Sequence, residues 1–155
     1  MSRYGFEPLG DLVGGAFLPP EGEPLASHDP ATEAGEVVLD TRVSADRVGM
    51  AAAAAEEAFP AWSGLSLDER WERLAGFRTA LAERQELIAE AIRLETGKVI
   101  GEARAEAASL LGRFDAALKA LQAHYRDGPV VPAEGESLEY RPLGVVGVIG
   151  PANYP

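Results

Sequence analysis

The run Val145-Val146-Gly147-Val148-Ile149, closed by Gly144 and Gly150, places the tightest constraint on how this chain folds. A short apolar run with no charge and no alternation suits a strand covered on both faces, as in a parallel α/β sheet, better than a half-exposed edge. Such a strand needs neighbours on either side, and a parallel neighbour needs a crossover connection. The sequence ends at Pro155, before any crossover, so an unfinished α/β unit is expected. The other reading pairs this run with short runs nearer the amino terminus in a small mixed sheet.

Helical periodicity dominates the middle of the chain. Ser44 can cap a helix in which Val48, Ala51, Ala52, Ala55 and Phe59 recur at three- and four-residue steps, with Pro60 as its predicted stop. Ser66 and Glu69 match a capping box opening a second helix, whose apolar face carries Leu67, Trp71, Leu74, Phe77 and Leu81. A bend is expected over residues 83–86. Leu87, Ile88, Ala91 and Ile92 then continue the pattern to Gly97, which suits a left-handed helix stop. A long helix follows from Ile100 to Tyr125, ending at Asp127-Gly128-Pro129. Gly101 and Gly112 each weaken it by about 1 kcal/mol relative to Ala and are read as points of close helix approach.

The flanks are less regular. The stretch to Pro30 is rich in Gly and Pro and predicts irregular chain with one or two edge strands and a turn at His28-Asp29-Pro30. Val37 to Leu39 predict a short strand leading into Asp40 and Thr41. After the turn-forming Ala133-Glu134-Gly135, Leu138 and Tyr140 alternate with Glu139 and Arg141, which predicts a hairpin. The organisation is therefore a helical part over residues 1–127, a β-hairpin over 128–142, and a buried strand with its loop over 143–155.

Composition removes several classes of function. A net charge of -11 leaves no basic footprint for nucleic acid or anionic lipid. No Cys is present, so thiolate metal sites, disulfides and a thiol nucleophile are excluded for these residues. Gly and Pro interrupt every apolar run in the first thirty residues, so neither a signal-peptide core nor a membrane span is expected and a cytoplasmic location is. The phosphate-binding P-loop, the H-E-x-x-H zinc motif, C-x-x-C and G-x-S-x-G are absent. Gly144, Gly147 and Gly150 do not form the G-x-G-x-x-G fingerprint. His28 and His124 read as structural or solvated histidines, and Glu95 as part of a surface helix end; no metal site is expected.

The strongest chemical feature is the loop Gly150-Pro151-Ala152-Asn153-Tyr154-Pro155, at the carboxyl end of the apolar run, where open α/β sheets bind ligands. Two prolines stiffen it around Asn153, whose amide N–H does not titrate and suits a developing oxyanion. As a bare pattern, Asn in a Pro-rich turn is also an ordinary turn residue. A stand-alone helical interaction module, in which Phe59, Trp62, Trp71 and Phe77 bury a partner, is the rival reading.

Four stretches in order resemble the aldehyde dehydrogenase family across residues 29–155: DPATEAGEVV, EEAFPAWSGLSLDERWERL, LETGKVIGEARAE and YRPLGVVGVIGPANYP. ETGK before a helix, and the PLGVVGVIGP run leading to an N-[FY]-P turn, look most like the succinylglutamate-semialdehyde dehydrogenase branch. The resemblance implies an α/β fold of which this is the amino-terminal part: mostly helical, with short strands and one buried strand of a Rossmann-like sheet at the end. It also implies a homo-oligomer, built through a hairpin of the kind expected at 128–142.

The resemblance further implies NAD or NADP as cofactor and an aldehyde or semialdehyde as substrate. Asn153 becomes an oxyanion-hole donor, and Ile149, Gly150, Pro151 and Ala152 line the cofactor. In similar enzymes a Cys thiolate attacks the aldehyde, hydride leaves to the cofactor, and Glu-assisted water hydrolyses the thioester. That Cys and that Glu lie further along the family's sequence, so the chain alone is expected to be inactive. Two departures, Ala152 where many members carry an aromatic and Tyr154 where Phe is common, leave the Asn role standing and blur the substrate class.

Overall fold

A computed structural model of the chain describes residues 9–124, 134–151 and 153. Two antiparallel strand pairs precede four helices. Strands β1 (Asp11–Val13) and β2 (Ala16–Leu18) form one pair, and β3 (Glu23–His28) and β4 (Val37–Val43) form the other. The β3–β4 register runs from Glu23 opposite Val43 to Ser27 opposite Leu39, then slips between Ser27 and His28. The stretch to Pro30 thus holds three strands where one or two edge strands were expected, and the strand expected from Val37 to Leu39 is part of β4. Short strands bounded by Gly and Pro have too few residues to show a period, so composition alone reads them as irregular.

Asp29 shows why the chain turns between β3 and β4. Its buried carboxylate accepts from the Ala31 N–H at 2.8 Å, and its own N–H donates to the Glu36 carbonyl at 2.8 Å. Thr32 completes the turn by accepting from the Glu36 N–H at 2.8 Å. The loop therefore satisfies its own backbone, as a partly buried turn must.

Helix α1 (Asp46–Ser63) begins and ends differently from expectation. Ala45 occupies the N-cap without a side-chain bond, and the helix continues through Pro60. Proline costs most in a helix interior. In the last turn the Pro60 carbonyl still accepts from the Gly64 N–H and the Ser63 hydroxyl, so the helix finishes one turn later.

Helix α2 (Leu67–Glu83) opens on the expected capping box: the Glu69 N–H donates to Ser66 Oγ at 3.3 Å, and the Ser66 N–H donates to the Glu69 carboxylate at 2.8 Å. The Ser66 N–H first, and then the Ser66 hydroxyl, which donates to Glu69 Oε2 at 2.8 Å, hold the Glu69 carboxyl below its ordinary range. The expected bend is a break at Arg84 (φ -108°, ψ 12°) before helix α3 (Gln85–Thr96).

Helix α4 (Ile100–His124) packs on α3 through Ala89, Ala103 and Ala107, flanked by Ile88 and Ile92. Small residues at this seam bring the two backbones close. Gly101 and Gly112 are not part of it, because a Cβ at either position meets nothing within 4 Å. Helix α2 joins α4 through the Trp71 and Phe114 rings, 5.2 Å apart, and a bidentate Arg78–Asp115 pair at 2.7 and 2.8 Å. The expected end of the long helix at residues 127–129 lies outside the described residues.

The apolar run at 145–149 does not form the expected buried strand. Val146, Val148 and Ile149 are 61%, 87% and 98% exposed, and among the described residues no strand lies beside the run. A strand buried on both faces cannot form without partners for both of its edges. Of the hairpin expected at 128–142, the described part holds a turn at Glu134-Gly135 and a bridge at Leu138, and residues 128–133 lie outside the described residues. The chain exposes 11308 Å², against about 7,500 Å² for a compact monomer of this mass.

Candidate functional site

The sequence ETGK supplies one side of the site, and each of its residues has a distinct place. Glu95 is exposed on the last turn of α3. Thr96 donates its hydroxyl to the Ile92 carbonyl at 2.6 Å and accepts from the Lys98 N–H at 3.3 Å. Gly97 takes the left-handed conformation at φ 71°, where a Cβ would come within 3.0 Å of Pro30 Cγ. The turn after β3 thus docks on the end of α3, and only glycine meets both requirements there. The backbone leaves this turn with Lys98 directed at α4.

Lys98 Nζ donates to Glu106 Oε2 at 2.5 Å and to Asn153 Oδ1 at 2.7 Å. Glu106 is 7% exposed on α4, beside the Ala103–Ala107 seam. Its other oxygen, Oε1, is buried and without a hydrogen-bond partner among the described residues. A buried carboxylate needs a charge partner, and the ammonium provides it. The arrangement is a short relay from a rigid helix, through a flexible cation, to the loop amide.

Of the expected site residues, Asn153 is the one joined to this relay. Ile149, Gly150 and Pro151 are exposed, and Ala152 lies outside the described residues. Among the described residues, a Cβ at Gly147 or Gly150 meets nothing within 4 Å.

His28 Nδ1–H donates to the Gly35 carbonyl at 2.9 Å, which anchors the turn. His124 ends α4, and its side chain lies outside the described part. Among the described residues no group of three His, Asp or Glu side chains is placed to hold a metal ion. Also among them, no helix is long and apolar enough to cross a membrane.

Of the aromatic residues of the rival reading, Trp62 and Trp71 line one hollow together with Leu67, Leu74 and Leu121. Trp71 is committed to Phe114, while Phe77 is exposed on α2. Phe59 and Trp62 border the hollow that faces Gly144, Val145 and Val146.

Lys98 and Glu106 are the residues that sequence reasoning missed. Both lie in the LETGKVIGEARAE stretch, but a helix-end lysine reads as solvated until a chain segment 55 residues away is seen to meet it.

Mixed strands and helices, ending in a Pro-stiffened Asn loop beside a helix junction, define a piece of a larger α/β enzyme fold. The aldehyde dehydrogenase family description matches residues 17–155, and the chain belongs to that family. It is 40% identical over 145 residues to the N-succinylglutamate 5-semialdehyde dehydrogenase of Paraburkholderia xenovorans, covering 93% of this chain and 30% of that protein. The protein of the same name from Burkholderia mallei is also 40% identical, over 146 residues. The chain thus spans about a third of the length of the curated relatives it matches.

Solved structures agree. HpcC from Thermus thermophilus superposes with a TM-score of 0.69 at 29% identity, over 80% of this chain and 24% of that one. An NAD-dependent aldehyde dehydrogenase from Sinorhizobium meliloti gives 0.61 at 32% identity, over 72% and 23%.

Proposed function

We propose that this chain supplies the amino-terminal part of a cytoplasmic NAD(P)-dependent aldehyde dehydrogenase that oxidises a semialdehyde to a carboxylate. The observation that carries the reading is Asn153, set in the Gly150–Asn153 loop and held at its carbonyl oxygen by Lys98. That contact leaves the Nδ2 hydrogens to donate to the oxyanion of an attacked aldehyde. The relatives' name supports an aldehyde of the N-succinylglutamate type as substrate.

Bound NAD or NADP would accept the hydride, with the main chain of Ile149, Gly150, Pro151 and Ala152 along one flank. The nucleophilic Cys is supplied from outside these residues, because this sequence has none. The 128–142 segment is assigned to oligomer contacts in a homo-oligomer, for which its exposed Leu138 and Tyr140 are suited.

The test is a complete polypeptide in which residues 1–155 replace the matching part of the P. xenovorans relative. Asn153→Ala in that enzyme is expected to lower kcat by about 100- to 1,000-fold. An unchanged kcat rules out the oxyanion role.

A further inference from the structure

We propose that Lys98 is a positioning residue for Asn153, setting which way its amide faces; this deepens the oxyanion reading and rests on it. An Asn side chain offers two nearly isosteric ends, and only Nδ2 can donate to an oxyanion. Lys98 carries donors and no acceptor, so its ammonium can face only Oδ1 of Asn153, as it does at 2.7 Å. The flipped amide would set N–H against N–H beside a positive charge. Lys98 therefore selects the orientation in which both Nδ2 hydrogens point away from it. An amide whose oxygen already accepts from a cation is also polarised into a better donor.

Glu106 makes the device rigid. A free lysine side chain samples many rotamers and would specify little. Here the ammonium is tied at 2.5 Å to a carboxylate that is 7% exposed on α4. The backbone of Lys98 is fixed in turn by Thr96 Oγ1 and by the left-handed Gly97. Four residues of two helices and their junction thus hold one loop amide, which matches the need of an oxyanion donor to be set before charge develops.

The experiment uses the complete chimeric enzyme and a cycle of Lys98→Met, Lys98→Arg, Asn153→Ala and the Lys98→Met/Asn153→Ala double variant, with melting temperatures alongside kinetics. Lys98→Met is expected to lower kcat by about 10- to 100-fold with KM little changed, and Lys98→Arg to restore most of the loss. In the Asn153→Ala background Lys98→Met is expected to add nothing further, because the amide it orients is gone. An unchanged kcat in Lys98→Met, or a loss that multiplies in full with that of Asn153→Ala, overturns the proposal. If Asn153→Ala itself leaves kcat intact, the oxyanion reading fails first and this inference with it. A Lys98→Met loss shared between kcat and melting temperature, and not rescued by Arg, also overturns it, since that is the signature of a merely structural ion pair.

Discussion

Lys98 and Asn153 meet across 55 residues of sequence, ammonium to amide oxygen at 2.7 Å, and this contact ties the end of the α3 helix to the loop after the apolar run. Its geometry depends on Gly97, the residue that turns the chain between α3 and α4. At φ 71° a side chain costs about 1–2 kcal/mol, and here its Cβ would also press on Pro30. Gly97→Ala is therefore expected to lose at least that much stability in urea unfolding and to shift Lys98 away from Asn153. Unchanged stability would mean that the turn relaxes without strain.

The two glycines of α4 lead to the opposite expectation. Because a Cβ at Gly112 meets nothing within 4 Å, Gly112→Ala adds helix propensity without a clash. Stability is expected to rise by about 1 kcal/mol. A loss would instead place another surface against that position.

At the α3–α4 seam the balance reverses. Ala89 is fully buried against Ala103 and Ala107, so Ala89→Leu must force the helices apart. A loss of about 1–3 kcal/mol is expected by thermal unfolding, and a neutral result would show the seam to have room for a larger side chain.

The capping box adds a pH signature. Glu69 has a folded-state pKa below its ordinary value of 4.5, through its bonds to the Ser66 backbone and hydroxyl. A depressed carboxyl contributes stability that is present above the unfolded value and lost as pH falls through the folded one. Ser66→Ala is expected to cost about 1 kcal/mol at neutral pH. The difference from the parent chain should narrow below pH 4.5 as Glu69 protonates. A gap that stays constant across that window would mean that the Ser66 hydroxyl contributes nothing to the Glu69 carboxylate, since the Ser66 N–H bond is kept in both chains. Asp115, lowered by its Arg78 partner, fades in the same direction.

Local rules carried much of the fold. Ser66 with Glu69, the break near residue 84 and the left-handed Gly97 were all legible, because each is decided by neighbours within a helical turn. Pro60 and Ser44 misled, since a proline one turn from a helix end costs little and Ala45 displaced Ser44 as the cap. The run at Val145–Ile149 was read for the environment it is suited to, and among the described residues no strands make that environment. In the candidate site, Asn153 was singled out from its loop and from family resemblance, and the structure adds its contact with Lys98. Lys98 and Glu106 were not, because their pairing depends on tertiary approach and no local pattern encodes it.

The exposed apolar run also bears on the isolated chain. With Leu143, Val148 and Ile149 at 91%, 87% and 98% exposure, residues 1–155 alone are expected to associate in light scattering and to show no aldehyde oxidation. A monodisperse monomer would contradict the first part and favour a self-sufficient module.

The most direct test of the central claim is aldehyde-dependent reduction of NAD and of NADP by the chimera that carries residues 1–155 ahead of the remaining two thirds of the P. xenovorans dehydrogenase. The chimera is expected to fold, to reduce at least one of the two cofactors with a semialdehyde of the N-succinylglutamate type, and to lose that activity with Asn153→Ala. A folded chimera that binds cofactor yet oxidises no aldehyde, while the parent dehydrogenase does, would contradict it.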